Sequence, residues 1–152
     1  MGNQINFFGL AKSSKKDVVG INYLTLTFHG KKTEIEDVHE KIRYQYWIEE
    51  CNLYFVVLEN APYEGTSYKF CLLSENGEVK DCLDLIHEEG EEFFFMENGR
   101  LEGVDFLFGK GEKKYKVHIS EVGKVGFGLI ELKYRSLLGY LRPRKYLALI
   151  EL

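Results

Sequence analysis

Hydrophobic and polar positions alternate with a period of two over most of the chain, the signature of strands with one covered face. Between Val18 and His29, Ile21, Tyr23, Thr25 and Thr27 share one parity, and Asn22, Leu24, Leu26 and Phe28 share the other. Between Lys113 and Ser120, Tyr115, Val117 and Ile119 alternate with Lys114, Lys116 and His118. Leu53 to Glu59 is almost continuously apolar, as expected of a central strand buried on both faces. Residues 33–48 carry two competing periods. Thr33 and Glu36 match a capping box, and Ile35, Val38 and Ile42 recur at helical spacing; from Ile42 onward Tyr44, Tyr46 and Ile48 alternate. A short helix near 34–40 running into a strand near 41–49 follows from that pattern. Further strands are expected at Val125–Tyr134 and, at the end, Tyr146–Leu152, with a solvated loop at Lys12–Lys16 and a turn near Glu121–Lys124.

Two Asn-Gly dipeptides, Asn76-Gly77 and Asn98-Gly99, each lie between strand-like runs. Asn-Gly favours a two-residue hairpin turn because both residues accept positive φ. A hairpin centred on Asn76-Gly77 sets Lys69 opposite Asp84, Phe70 opposite Leu83 and Cys71 opposite Cys82. One centred on Asn98-Gly99 sets Met96 opposite Leu101, Phe93 opposite Val104, and Phe94 over the bare Gly103. The alternate glycines Gly126 and Gly128 leave one strand face open to close approach. The expected fold is mostly all-β: an antiparallel meander of about nine strands closed into a barrel or folded as a sandwich. At most one short helix, near 34–40, accompanies it, in a single domain spanning residues 1–152.

Composition narrows the class without naming a chemistry. The 152 residues are 45% hydrophobic and 14% aromatic, with 15 Gly and only two Pro, which suits many tight turns. Net charge is −4, a handicap for binding nucleic acid. Three cysteines, Cys51, Cys71 and Cys82, with no CxxC spacing, describe neither a disulfide framework nor a zinc ribbon. Met1 to Leu10 lacks the features of a signal peptide, and Leu53–Leu58 is too short to cross a bilayer. The expected setting is cytoplasmic, with no membrane partner.

The motifs of catalysis are incomplete. The glycines around Gly103–Lys110 and Gly123–Gly128 fit neither a P-loop nor a dinucleotide fingerprint. His29, His39, His87 and His118 are dispersed, HExxH and GxSxG are missing, and no metal or cofactor is implied. His87-Glu88-Glu89 begins an acidic turn, and Cys71 and Cys82 read as two small apolar residues sharing a ladder position. What remains is blocky charge with aromatic residues beside it: acidic at Glu34–Glu40, Glu49-Glu50 and His87–Glu92, basic at Lys12–Lys16, Lys110–Lys116 and Arg142–Lys145. That pattern suits recognition of a partner. The leading expectation is a non-enzymatic interaction protein of inhibitor or immunity type that binds a protein through Trp47, Tyr63, His87, Glu88, Glu89, Arg142 and Arg144. A β-barrel holding a small apolar ligand, and an enzyme built on His87, Glu88 or His118, are the alternatives.

Overall fold

The computed structural model describes residues 3–16, 22–37, 39–60, 66–86 and 95–152. Among the described residues twelve strands form three antiparallel sheets. The largest has the order β1 (Asn3–Gln4), β5 (Lys41–Ile48), β6 (Leu53–Asn60), β7 (Ser67–Ser74) and β8 (Val79–Leu85). A second runs β12 (Arg144–Glu151), β11 (Lys113–Val125), β10 (Asp105–Lys110) and β9 (Met96–Glu102). The third is β2 (Phe8–Lys16), β3 (Asn22–Phe28) and β4 (Lys31–Asp37). Two one-turn helices, α1 (Leu129–Leu132) and α2 (Leu137–Tyr140), lie between β11 and β12.

Side-chain parity decides how the sheets stack. On one face of the central sheet Tyr46, Ile48, Phe55, Val57, Phe70 and Leu72 meet Phe106, Phe108, Tyr115 and Val117 of the four-stranded sheet. On the other face Tyr54, Val56, Leu58, Cys71 and Leu73 meet Phe8, Leu26 and Ile35 of the three-stranded sheet. The apolar run of β6 is therefore covered on both sides, as its sequence predicted. The sheets do not close into a barrel; the arrangement is a layered sandwich. Aromatic rings fill the larger interface: Phe106 lies 5.3 Å from Phe55, 5.4 Å from Tyr44 and 5.8 Å from Phe108. Such tilted pairs add to the burial of their area.

Several elements differ from the sequence pattern, each for a local reason. There are twelve strands instead of nine, because Asn3–Gln4, Phe8–Lys16 and Lys31–Asp37 are all strands. No helix forms over the described part of 34–40: Thr33 donates its hydroxyl to Leu26 O, and Ile35 is buried against the neighbouring sheet. Val38, which completed the helical spacing, lies outside the described residues. Lys12–Lys16 is strand and not loop, the end of the edge strand β2. β11 runs through the expected turn at 121–124 as an arch, losing register with β12 between Ile119 and Lys124. The expected strand at Val125–Tyr134 is instead the end of β11 and α1.

The two Asn-Gly dipeptides part company. Lys69–Asp84, Phe70–Leu83 and Cys71–Cys82 are in register as expected, and Lys69 Nζ sits 2.9 Å from Asp84 Oδ1. The turn is not the two-residue kind, since only Gly77 has positive φ (81°). Gly77 N donates to Ser74 O and Ser74 N to Glu78 O, a three-residue loop closed by a left-handed glycine. Asn98-Gly99 is no hairpin turn at all. It lies inside β9 as a bulge, two residues opposite Phe108, with Asn98 at φ 55°. The hairpin turns at Gly103-Val104, so Gly103 is not a bare strand position; Phe93 and Phe94 lie outside the described residues.

Gly99 is required by crowding. A Cβ there would stand 2.6 Å from the Tyr44 ring, which is itself held against Phe106. Gly99→Ala is expected to destabilise the fold by about 1–3 kcal/mol, read from urea unfolding; a change within error would mean that the ring moves aside freely.

All three cysteines are free. Burial pushes the Cys51 thiol up to about 11 from its ordinary 9.0. Burial, with Cys82 as hydrogen-bond partner, also pushes Cys71 up. The neutral thiols belong to the fold and the thiolates to the unfolded chain, so their contribution is fully present below pH 9 and is lost as pH rises toward about 11. Unfolding midpoints are expected to fall over that window, and less steeply in Cys51→Ala; equal slopes in the two proteins would remove Cys51 from the effect.

Candidate functional site

A buried carboxylate organises the corner where the two larger sheets meet. Asp81 shares the parity of Leu83 and Leu85 on β8 and is 0% exposed. Its Oδ2 accepts from Arg135 Nη2 (2.8 Å) and from the backbone N–H groups of Tyr146 (2.8 Å) and Leu147 (2.9 Å). Its Oδ1 accepts from Cys82 N at 2.9 Å and Arg135 Nε at 3.3 Å. Arg135 in turn donates to Leu147 O and Glu131 O. A buried ion pair repays its desolvation only when its remaining hydrogen bonds are made, and here five donors converge on one carboxylate.

This joint fixes the segment between β11 and β12. Asp84 N donates to Tyr134 O at 2.6 Å, and Tyr134 is held at φ 64°, a conformation that an aromatic residue adopts only under outside constraint. Arg142 donates to Val79 O. Lys145, 4% exposed, donates to Gly126 O at 2.6 Å and to Arg142 O, with its ammonium 4.1 Å from the Phe127 ring centre. Ser136 caps α2 by accepting from Gly139 N. Glu131 folds back over Gly126 and Gly128, the close approach that the alternate glycines foretold.

The anchored segment is inside out. In α2 only Gly139 is buried, while Leu137 and Leu138 face solvent; α1 buries nothing. Leu129, Ile130 and Leu138 are 86%, 84% and 80% exposed. With Val122, Val125, Phe127, Leu132, Leu137 and Leu141 they make nine exposed large apolar side chains within twenty residues, out of fourteen among the described residues. Scattered exposed leucines mean little, whereas a concentration of this kind is unusual on a folded surface. Residues 122–146 also carry six basic side chains against the single acid Glu131, a net +5, which leaves −9 for the remainder of a chain whose total is −4.

Beside the apolar surface is a cleft of about 230 Å³ on the four-stranded sheet, lined on its apolar side by Leu83, Leu147 and Leu149 and shared with Ile130. Lys124 and Lys133, both exposed, also line it. His118 borders it too, with Nδ1 at 2.7 Å from Asp105 Oδ1 on the solvent side. Among the described residues no group of three or more His, Cys, Asp or Glu is placed to hold a metal ion, and no helix is long and apolar enough to cross a membrane.

The residues singled out from sequence are dispersed. Arg142 and Arg144 lie at the base of the apolar segment, Arg142 half-buried on Val79 O and Arg144 donating to Gly123 O. Trp47 lies on β5, separated from β8 by the two strands β6 and β7, half-buried with its ring 4.7 Å from that of Tyr54. Tyr63, His87, Glu88 and Glu89 lie outside the described residues. The leucines of α1 and α2 were missed because apolar residues in short runs read as core; the signal that pointed here was the glycine pair at 126 and 128. Neither the known protein families, nor the curated proteins, nor the solved structures give a match to this chain.

Replacing Asp81 by Ala strands a guanidinium whose side chain is only 4% exposed, along with three backbone N–H groups. A loss of about 3–5 kcal/mol is expected, with a smaller loss in Asp81→Ala/Arg135→Met. Additive losses in a double-mutant cycle from chemical denaturation would show that the pair is not coupled.

Proposed function

We propose that this is a non-enzymatic interaction protein that docks on a protein partner through the apolar surface of residues 122–141. The observation that carries this reading is the inverted burial of the two helical turns: Leu129, Ile130, Leu137 and Leu138 point to solvent while Gly139 points in. An unfolded apolar segment would be a liability. This one is held by Asp81, Arg135, Ser136 and Lys145, so its exposure is built into the fold. Rigid presentation lowers the entropy cost of association. Arg142 and Arg144 lie at the base of this surface, where they donate to Val79 O and Gly123 O. The three free thiols accord with a reducing, cytoplasmic setting.

The test is native mass spectrometry of the protein drawn from its own cells at endogenous level. A stoichiometric complex heavier than the 17.7 kDa chain is expected. It should disappear in Leu129→Asp/Ile130→Asp/Leu138→Asp, whose changes are all at solvent-facing positions. A complex that survives the triple substitution, or a bare chain in the wild type, refutes the assignment.

A further inference from the structure

We infer that the partner presents an acidic-apolar peptide segment: one large apolar side chain enters the cleft beside Ile130, and a neighbouring carboxylate meets Lys124 and Lys133. This rests on the docking surface proposed above and names its occupant. Three observations lead to it.

The first is volume. A cleft of about 230 Å³ falls below the roughly 300–1,000 Å³ of sites that hold drug-sized ligands, and suits one side chain. Its apolar lining from Leu83, Leu147 and Leu149 rewards a Leu, Ile, Phe or Trp.

The second is charge. Of the basic groups at the cleft, Arg135 is committed to Asp81 and Lys145 to backbone carbonyls. Lys124 and Lys133 remain at the exposed rim, Lys133 with its ammonium 4.8 Å from the Tyr134 ring centre. Glu131, the carboxylate lining this cleft, is turned onto Gly126 and Gly128; Asp84 and Glu151, which share a neighbouring cavity with Lys133, face Lys69 and Lys113, and His118 faces Asp105. The rim thus lacks its complement, and an acidic side chain supplies it.

The third is how poorly the other occupants fit the same surface. A two-fold pairing of this surface with itself would set a +5 segment against another +5 segment. Docking it on the acidic remainder of a second copy would be a heterologous contact, which builds a ring or a filament of copies and never a two-fold dimer. A lipid surface would use the leucines and lysines but has no use for a concave apolar cleft next to them.

The experiment is selection of a random twelve-residue peptide display library on the intact protein, followed by affinity measurement with the resynthesised peptides. Enriched peptides are expected to carry Leu, Ile, Phe or Trp within two positions of Asp or Glu. Their affinity should fall about tenfold in Lys124→Glu/Lys133→Glu, weaken with salt, and stay unchanged in Lys32→Glu on the distant β4. Enrichment of peptides without acidic residues, or indifference to the double reversal, overturns the inference. So does sedimentation to a doubled mass, or co-sedimentation with vesicles containing 30% phosphatidylserine, when either is abolished by Ile130→Asp and no peptide is enriched. Those two results keep the surface as a docking site and change its occupant. Acidic-apolar peptides whose binding ignores both Ile130→Asp and Leu138→Asp would overturn the surface itself.

Discussion

The carboxylate of Asp81 is the constraint on which the other arrangements rest. Two sheets packed face to face leave their edge strands with unanswered N–H groups, and at this corner the side chain of one edge answers the backbone of the other. Because Arg135 binds the same carboxylate, the chain between β11 and β12 is recruited to the joint. One buried anion therefore fixes three things: the approach of β8 to β12, the path of residues 129–136, and the strained backbone of Tyr134. An apolar side chain at 81 would pack well and could direct none of them.

The layered design explains why the middle of the molecule is so regular and its margin is not. β6 and β7 are covered on both faces, and a slip of one residue would exchange two cores at once. The ladder between these two strands is unbroken from Leu53–Ser74 to Asn60–Ser67, while register shifts occur in the ladders beside it and in the outer sheets: between Ile42 and Tyr44 of β5, between Leu72 and Leu73 of β7 beside the turn, in the bulge of β9 and in the arch of β11. The apolar surface is attached where the ladder has already relaxed, so it is displayed without disturbing the double core.

How much was legible in the sequence depended on whether the deciding partner was local. The ladder from Lys69–Asp84 to Cys71–Cys82 keeps the register read from the sequence because a one-residue shift between Leu72 and Leu73 offsets the three-residue loop that stands in place of a two-residue turn. Asn98-Gly99 looked identical as sequence; what makes it a bulge is the ring of Tyr44, more than fifty residues earlier, together with the fit of Leu101 to Phe106. Leu137 and Leu138 carry no mark of facing outward, since that depends on Gly139 facing inward. Asp81 did carry a mark, a carboxylate on the parity of Leu83 and Leu85, which only a buried partner can explain.

The latch formed by Lys145 has a consequence for synthesis of the chain. The helical turns at 129–140 are too short to persist alone, and the carbonyls that shape them, Gly126 O and Arg142 O, are gathered by a side chain that leaves the ribosome after both. The strand carrying it must also find β11 and Asp81 before the ammonium can take its place. While translation is under way, the double core of the central sheet can assemble as the leucines of this segment remain without fixed positions. The exposed apolar surface of this segment is thus ordered last, as a property of the finished sandwich.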